Sequence, residues 1–536
     1  MLHEIAELVF DPRAVPWLVL MCERAMTDPE PQLRAAAMTL TWHLSEHLPN
    51  AFLGDASEGS RSLRRLPPRS DPTFAEVYLL QCKLLPVATR LAEDRAPSVR
   101  LAVAAQCDRL CNSLGEHWYS VILDVLHALL GDMDENVRGE AILCVPRMAE
   151  ILLITSSPER ASVGVLEAFL PVLVKLLNDP SPNVRVALAT AAGDLLTLLV
   201  GLQSLHEISP PSDHDRVSEL SEKTNKKHVD DTLIPLLQNL LNDTEPEVTS
   251  AALRAVTNAS RGNVREIRAR HNSRAVDDDT MSISSYQSHT SLERKDPVFI
   301  PVLSEEQVMR LLPTLTGLAN SRQWRVRQGA VEIVPALLGC TSKLEIRSVV
   351  AQLCFRLMND KVDAVRRTAA ECLCLSGGGL GSHGEESAGE WVNAIVIPHV
   401  LNCSKSIDSK QRILSLKMIE VIIANGICPA KRRTLRQDSS EPPRLELLKI
   451  AISLSLDSVA NVRLNFGRLA CSVVLLVDDE EAGALATALS EQIEKEQEHE
   501  RGGDRDVLFF ASQAIIRSKE RDEEVSLASL QIGSDR

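Results

Sequence analysis

The residues of this 536-residue chain whose types and spacing come nearest to a catalytic set are His43, Glu46 and His47. His-x-x-Glu-His on a helix sets two imidazoles on one face beside a carboxylate, the arrangement of one class of zinc peptidase. Here the segment TLTWHLSEHLPN reads as a helix ending before Pro49, where histidines complement the negative end of the helix dipole. A peptidase also needs a cleft around its metal, which a regular stack of helices does not provide. The cluster Gly377-Gly378-Gly379-Leu380-Gly381 has no Lys-Ser/Thr after it and no strand before it, so it lacks the parts of a phosphate-binding loop. Cys372 and Cys374 are two apart on a helix, point to different faces and have no second Cys/His pair nearby, which reads against zinc. The expectation is a chain that is not an enzyme, with no catalytic residue, metal or cofactor.

Recognition is a different chemistry, and Trp324-Arg325-Val326-Arg327 is placed for it. It sets an indole and a guanidinium in a turn between two helices, and Trp and Arg are the enriched anchors of protein interfaces. Trp324 and Arg325 are therefore expected partner-binding residues.

The elements that must hold them follow from composition and repetition. The chain is 44% hydrophobic but only 3% aromatic, so Leu, Val and Ala fill its core, as in stacked helices. Its length exceeds what one compact core accommodates, roughly 250–300 residues. With 58 Lys+Arg against 73 Asp+Glu the net charge is −15, which opposes a general nucleic-acid binder. No run of about 18–20 uncharged apolar residues predicts a membrane span. The acidic start MLHEIAELVFDPRAVPW does not read as a secretory signal. Twelve cysteines, several within apolar helical patterns, suit reduced core thiols and predict a cytosolic or nuclear setting.

One pattern recurs: an apolar helix, a turn with Asp or Pro, then Val-Arg opening a second helix rich in Ala and Leu. The clear copies open at Val99-Arg100, Val137-Arg138, Val184-Arg185, Val326-Arg327, Val365-Arg366 and Val462-Arg463. Weaker copies centre on Arg34, Val248 and Arg412, and a tenth on Val507. Arg100 to Arg138 spans 38 residues and Arg327 to Arg366 spans 39, the period of a HEAT repeat. The fold class predicted is all-α, an α-α superhelix or HEAT-repeat solenoid of about ten repeats. Asp or Pro breaks the first helix and Asp, Asn or Ser can cap the second. The Val faces inward, and the Arg can pair with the acidic turn of a neighbouring repeat. A lone hairpin cannot bury both apolar faces, so the units must stack.

Polar stretches interrupt the period and set the expected organisation. Repeats fill 1–202, with a loop insertion at 53–74, followed by a polar insertion at 203–229 and a repeat at 230–261. A disordered Ser/Asp-rich insertion occupies 262–298. C-terminal repeats follow at 299–428, a basic Pro-containing loop at 429–443, the last repeats at 444–520 and a polar tail at 521–536.

The ordered series from 311 to 515 resembles the C-terminal repeats of the scaffold (A) subunit of protein phosphatase 2A. Its members are LLPTLTGLANSRQWRVRQGAVEIVPALLG, LCFRLMNDKVDAVRRTAAECL, EWVNAIVIPHVLNCSKSIDSKQRILSLKMIEVI, LDSVANVRLNFGRLA and DVLFFASQAI. The resemblance implies binding of a serine/threonine phosphatase catalytic subunit through inner turns, with Trp324, Arg325 and Val507 as contacts. It also implies a regulatory B-type subunit on the earlier repeats, where Pro97-Ser98 stands in place of a second Trp-Arg. A HEAT-type regulatory subunit of phosphatase 4 and a transport adaptor of the importin-β kind remain as alternative readings.

Overall fold

Asp or Pro between two apolar helices decides where most hairpins bend, the turn before Trp324 being the exception. The computed structural model describes residues 15–47, 85–114, 119–155, 169–207, 226–260, 303–341, 343–376, 391–427, 443–498 and 503–534. Among these residues every regular element is helical. They fall into two units, dividing between Pro297 and Val298, with five helical hairpins described in each.

In the first unit α1 (Val15–Ala25) pairs with α2 (Pro31–His47), and α3 (Leu85–Ala92) with α4 (Pro97–Ala104) and its continuation α5 (Cys107–Leu114). Next, α6 (Tyr119–Leu130) pairs with α7 (Glu135–Thr155), and a helix over 169–175, closed by the 3-10 turn Leu176–Asn178, with α8 (Pro182–Glu207). Last, α9 (Ile234–Leu241) pairs with α10 (Pro246–Ser260).

In the second unit α11 (Glu305–Leu318) pairs with α12 (Trp324–Glu332) and α13 (Val334–Gly339), and α14 (Leu344–Leu357) with α15 (Asp363–Leu375). Then α16 (Ile397–Ser404) pairs with α17 (Ser409–Ala424), α18 (Pro443–Ser453) with α19 (Ala460–Val473), and α20 (Asp479–Gln497) with α21 (Arg505–Ser534). Second helices pack in sequence, α2–α4–α7–α8–α10 in one unit and α12–α15–α17–α19–α21 in the other.

The repeated valine is the peg of each second helix. Val99, Val137, Val184, Val248, Val326, Val365 and Val462 are at most 2% exposed. Packing is tightest where α8 meets α10: a Cβ on Gly193 would lie 2.6 Å from Ala255 Cβ, so only a glycine admits this approach. Pro182–Val200 within α8 is long and apolar enough to cross a membrane by length and composition, yet it carries Arg185 and Asp194 and is 67% buried, as a core helix is.

Two helices run further than the sequence pattern suggests. The helix α8 continues to Glu207, into the stretch expected as insertion from 203, because no breaker precedes Pro210. The helix α21 continues to Ser534, past the expected tail boundary, since its Glu, Leu and Ala residues favour helix until Gly533. The stretches 53–74, 262–298 and 429–442, and 208–225 of the expected 203–229 insertion, lie outside the described residues.

The repeated arginine ties each hairpin to the next. Arg100 donates from Nη1 to the carbonyl of Asp94, six residues back in its own turn, at 2.7 Å. Its Nε and Nη2 reach the carboxylate of Asp132 in the following turn at 2.6 and 2.8 Å. Asp132 in turn accepts from the Asp134 amide, fixing the bend that opens α7. The same two-pronged link joins Arg34 to Asp94, Arg138 to Asp179, Arg185 to Asp243, Arg327 to Asp360 and Arg412 to Asp457. Arg463 reaches Glu496 at 2.5 Å. A planar guanidinium is suited to this, since its fork matches a carboxylate while a third N–H serves the backbone.

Three turn or helix positions depart from the ladder. Thr249 occupies the arginine position of α10 and only its hydroxyl reaches the Asp243 carbonyl, at 3.3 Å. Ser321, before α12, replaces the turn aspartate, as does Ser406 before α17. Facing Ser406, Arg366 pairs instead with Asp363 of its own helix at 2.7 Å.

The ladder makes stability acid-sensitive. Hydrogen bonds from Arg34 and Arg327 hold the Asp94 and Asp360 carboxyls below the usual carboxylate range. Their contribution is complete above the unfolded carboxylate pKa of about 3.9 and is lost as pH falls through the lower folded values. The urea midpoint is expected to drop as the pH falls below about 4, and to drop less in Asp360→Asn. Equal slopes for the two proteins would remove this pair as a titrating element.

Candidate protein-interaction site

Four adjacent residues at the start of α12 divide their work. Gln323 is the N-cap in extended conformation and Trp324 is the first helical residue. Val326 is buried and Arg327 is committed to Asp360. Trp324 is left half-buried and Arg325 exposed, with the guanidinium carbon 5.1 Å from the indole centroid. Such a cation–π contact at an exposed site contributes about 0.5–1 kcal/mol, enough to hold the two side chains as one flat, charged platform.

Val507 is differently placed. It is 1% exposed and packs as the core valine of α21, so it offers no surface to a partner. The accessible residue two positions on is Phe509, 57% exposed. Apolar side chains near a helix start alternate between core and solvent with the helical period, and Val507 falls on the core side.

The outward faces of α15, α17, α19 and α21 enclose a groove of about 800 Å³. Six cations line it: Arg366, Arg367, Lys410, Lys417, Arg468 and Arg517. Only two lining residues are acidic, Asp363 and Glu420. Arg366 and Arg367 share Asp363, and Lys417 lies 3.3 Å from Glu420 and 3.5 Å from Glu371. Among the described residues Lys410, Arg468 and Arg517 have no carboxylate partner. Arg468 sits 4.7 Å from the Phe510 ring centroid, Phe509 meets Phe510 edge-on at 5.2 Å, and Arg517 donates to the Cys471 carbonyl at 2.8 Å.

Sequence reasoning passed over these residues. Their signal is a stripe at helical spacing, Lys410 with Lys417, Asn461 with Arg468, Phe509 with Gln513 and Arg517, opposite the buried Val and Ala of the same helices. It becomes legible once consecutive second helices are known to be neighbours.

The other sequence candidates are placed as follows. The backbone of α2 includes His43 and His47, but their side chains lie outside the described residues, as do Gly377–Gly381. Cys372 and Cys374 are both buried in α15, and burial raises the Cys374 thiol far above its ordinary value. Cys354 is pushed up to about 12 for the same reason. All three are core thiols. Among the described residues no group of three or more His, Cys, Asp or Glu side chains converges as a metal site.

A HEAT-repeat family profile matches residues 169–199, the helix at 169–175 with most of α8. No curated protein matches the chain by sequence. Among solved structures the chain is similar to importin β, at 12% identity and a TM-score of 0.58, over 98% of this chain and 55% of that one. It is similar to Kap95p in a complex with Nup1, at 13% identity and 0.57, over 99% and 56%. It is similar also to a structure describing Kap95p binding to RanGDP, at 14% identity and 0.52, over 99% and 59%. The chain thus spans just over half the length of these relatives. At these identities the likeness concerns architecture, and with the profile match and the ladder of hairpins it shows the fold: an all-α solenoid of HEAT repeats.

Proposed function

We propose that the chain is a non-catalytic scaffold or regulatory subunit that holds a protein phosphatase 2A-type serine/threonine phosphatase catalytic subunit through the second unit. The observation that carries this reading is the Trp324–Arg325 platform at the exposed start of α12, in the series of repeats that resembles the phosphatase scaffold. An indole backed by a guanidinium offers a partner apolar area and charge at one spot, at little entropic cost. The neighbouring Arg327–Asp360 link fixes the turn that presents it. A regulatory B-type subunit is assigned to the first unit under the same reading, and a phosphatase 4 catalytic subunit is the variant of it with a closely related partner.

The test is a pull-down from cell extract with the full chain, scored by mass spectrometry, beside a Trp324→Ala/Arg325→Ala variant. Truncating a hot spot costs about 2 kcal/mol or more, so the variant should retain only a few per cent of the bound catalytic subunit. Equal recovery by both proteins would remove the platform from the account. Recovery of a small GTPase in place of a phosphatase would favour an importin-like role.

A further inference from the structure

The groove across α15, α17, α19 and α21 opposes the net charge of the chain. The protein carries a net charge of −15, yet this face gathers six cations against two carboxylates. Charge complementarity therefore names the occupant by sign. We propose that the groove docks an extended, acidic peptide segment of a protein partner, anchored by one apolar side chain beside Phe509.

Three features beyond net charge argue for a peptide. Four neighbouring helices at the usual spacing of about 8–10 Å present a track of roughly 30 Å, which an extended chain of about nine or ten residues would span at about 3.3 Å each. The cations are spread along that track, from Arg367 on α15 through Lys410 on α17 and Arg468 on α19 to Arg517 on α21. Point charges repeated from helix to helix suit a chain with a carboxylate at every second or third residue better than a single compact anion.

The third feature is the anchor. Phe509 is 57% exposed at the end of the track, and its edge-on contact with Phe510 under Arg468 fixes the orientation of the ring. An aromatic held in this way can bury a Leu or Phe of the partner while Arg468 and Arg517 flank it. Single-stranded nucleic acid also combines negative charge with stackable rings. The strongly acidic remainder of the chain opposes a polyanion that extends beyond the groove, and so favours a short acidic segment.

The experiment uses the full chain and a fluorescein-labelled dodecapeptide with Asp or Glu at every second position, Ser between them and one central Phe, read by anisotropy. Binding is expected to weaken with added salt, as contacts among exposed charges do. It should weaken by about tenfold or more in Arg468→Glu/Arg517→Glu, because the variant sets like charges against the peptide's carboxylates. Phe509→Ser is expected to weaken the Phe-containing peptide but not one with Gly at that place. Circular dichroism and a urea midpoint matching the parent show that each variant is folded, and Lys410→Glu supplies a further exposed change should one fail.

Equal affinity of the parent and the charge-reversed variant for the peptide would overturn the proposal. So would absence of binding by the parent, or tighter binding of an oligothymidylate of the same length. This outcome is separable from the phosphatase reading, because none of the substituted residues belongs to the Trp324–Arg325 platform.

Discussion

Glu481→Gln is expected to lower the folding stability of the second unit by about 1.5–3 kcal/mol, the usual worth of a hydrogen bond to a charged group. Arg444 and Glu481 have side chains only 9% and 6% exposed. Nε of Arg444 donates to Oε1 of Glu481 at 2.9 Å, and Nη2 donates to Oε2. The same carboxylate accepts the Asp478 amide at 3.0 Å, while Asp478 accepts the Glu481 amide at 2.9 Å, closing a capping box at the start of α20. Glutamine keeps the shape and one acceptor but removes the charge and places an N–H against the guanidinium. Asp478, at 3.5 Å and on the exposed side, compensates little.

Urea unfolding reads this loss directly. The double variant Arg444→Met/Glu481→Leu removes both charges together and should cost clearly less than Glu481→Gln, because apolar side chains of similar volume in place of a buried pair carry no desolvation cost. A single variant that loses less than about 1 kcal/mol, the scale of an exposed pair, would show that water reaches the site.

Gly503→Ala should be the next most damaging single change, at about 2–3 kcal/mol, from a left-handed backbone and a steric overlap acting together. Gly503 has φ of +65°, and a Cβ there would lie 2.3 Å from the Glu496 carbonyl oxygen. The turn it permits brings the Asp504 amide within 2.9 Å of the Glu496 carboxylate, which Arg463 also holds. Pushing the loop away therefore loosens the last rung of the ladder and the start of α21.

Gly426→Ala separates the two causes. Gly426 also has positive φ, +62°, but a methyl group there would meet nothing within 4 Å, so only the backbone cost of about 1–2 kcal/mol applies. Equal losses for the two alanine variants, measured by urea denaturation, would mean that the overlap at Gly503 relaxes freely.

Much of the fold is written locally. The recurring Val-Arg placed six of the ten second helices and weaker copies of it the other four, because burial of the valine and capping of the helix depend on near neighbours in sequence. The pairing of the arginine with the next acidic turn was also legible in outline. The constant six-residue offset between turn aspartate and arginine, as in Asp94 and Arg100 or Asp457 and Arg463, was open to reading as well. The ends of α8 and α21 were not legible from polarity alone, since charged residues with high helix propensity continue a helix that already exists.

The site was legible only in part. Trp324 and Arg325 stood out by type. The burial of Val507 was not legible, because its role was assigned by position in a repeat, whereas exposure depends on which side of the helix faces the preceding hairpin. The basic groove combines residues from four helices, Arg367 to Arg517, and no window of sequence contains it. Its detection requires knowing which outward stripes lie side by side.

The serine at position 406 has a mechanical consequence. Within the second unit the links Arg327–Asp360, Arg412–Asp457 and Arg463–Glu496 clamp successive hairpins, while Arg366 folds back on Asp363. The seam between α15 and α17 thus lacks the guanidinium clamp and is bridged instead by Gln411, whose side-chain amide donates to the Met358 carbonyl at 3.3 Å and to Asn359 Oδ1 at 2.9 Å, and by Lys417, 3.5 Å from Glu371. Arg366 and Arg367 on one side of that seam and Lys410 on the other both line the groove, so opening or closing it would change the distance between cations that an acidic segment must bridge. A single Ser406→Asp replacement would offer Arg366 the carboxylate that the other turns provide and add a charged link to these neutral and longer ones.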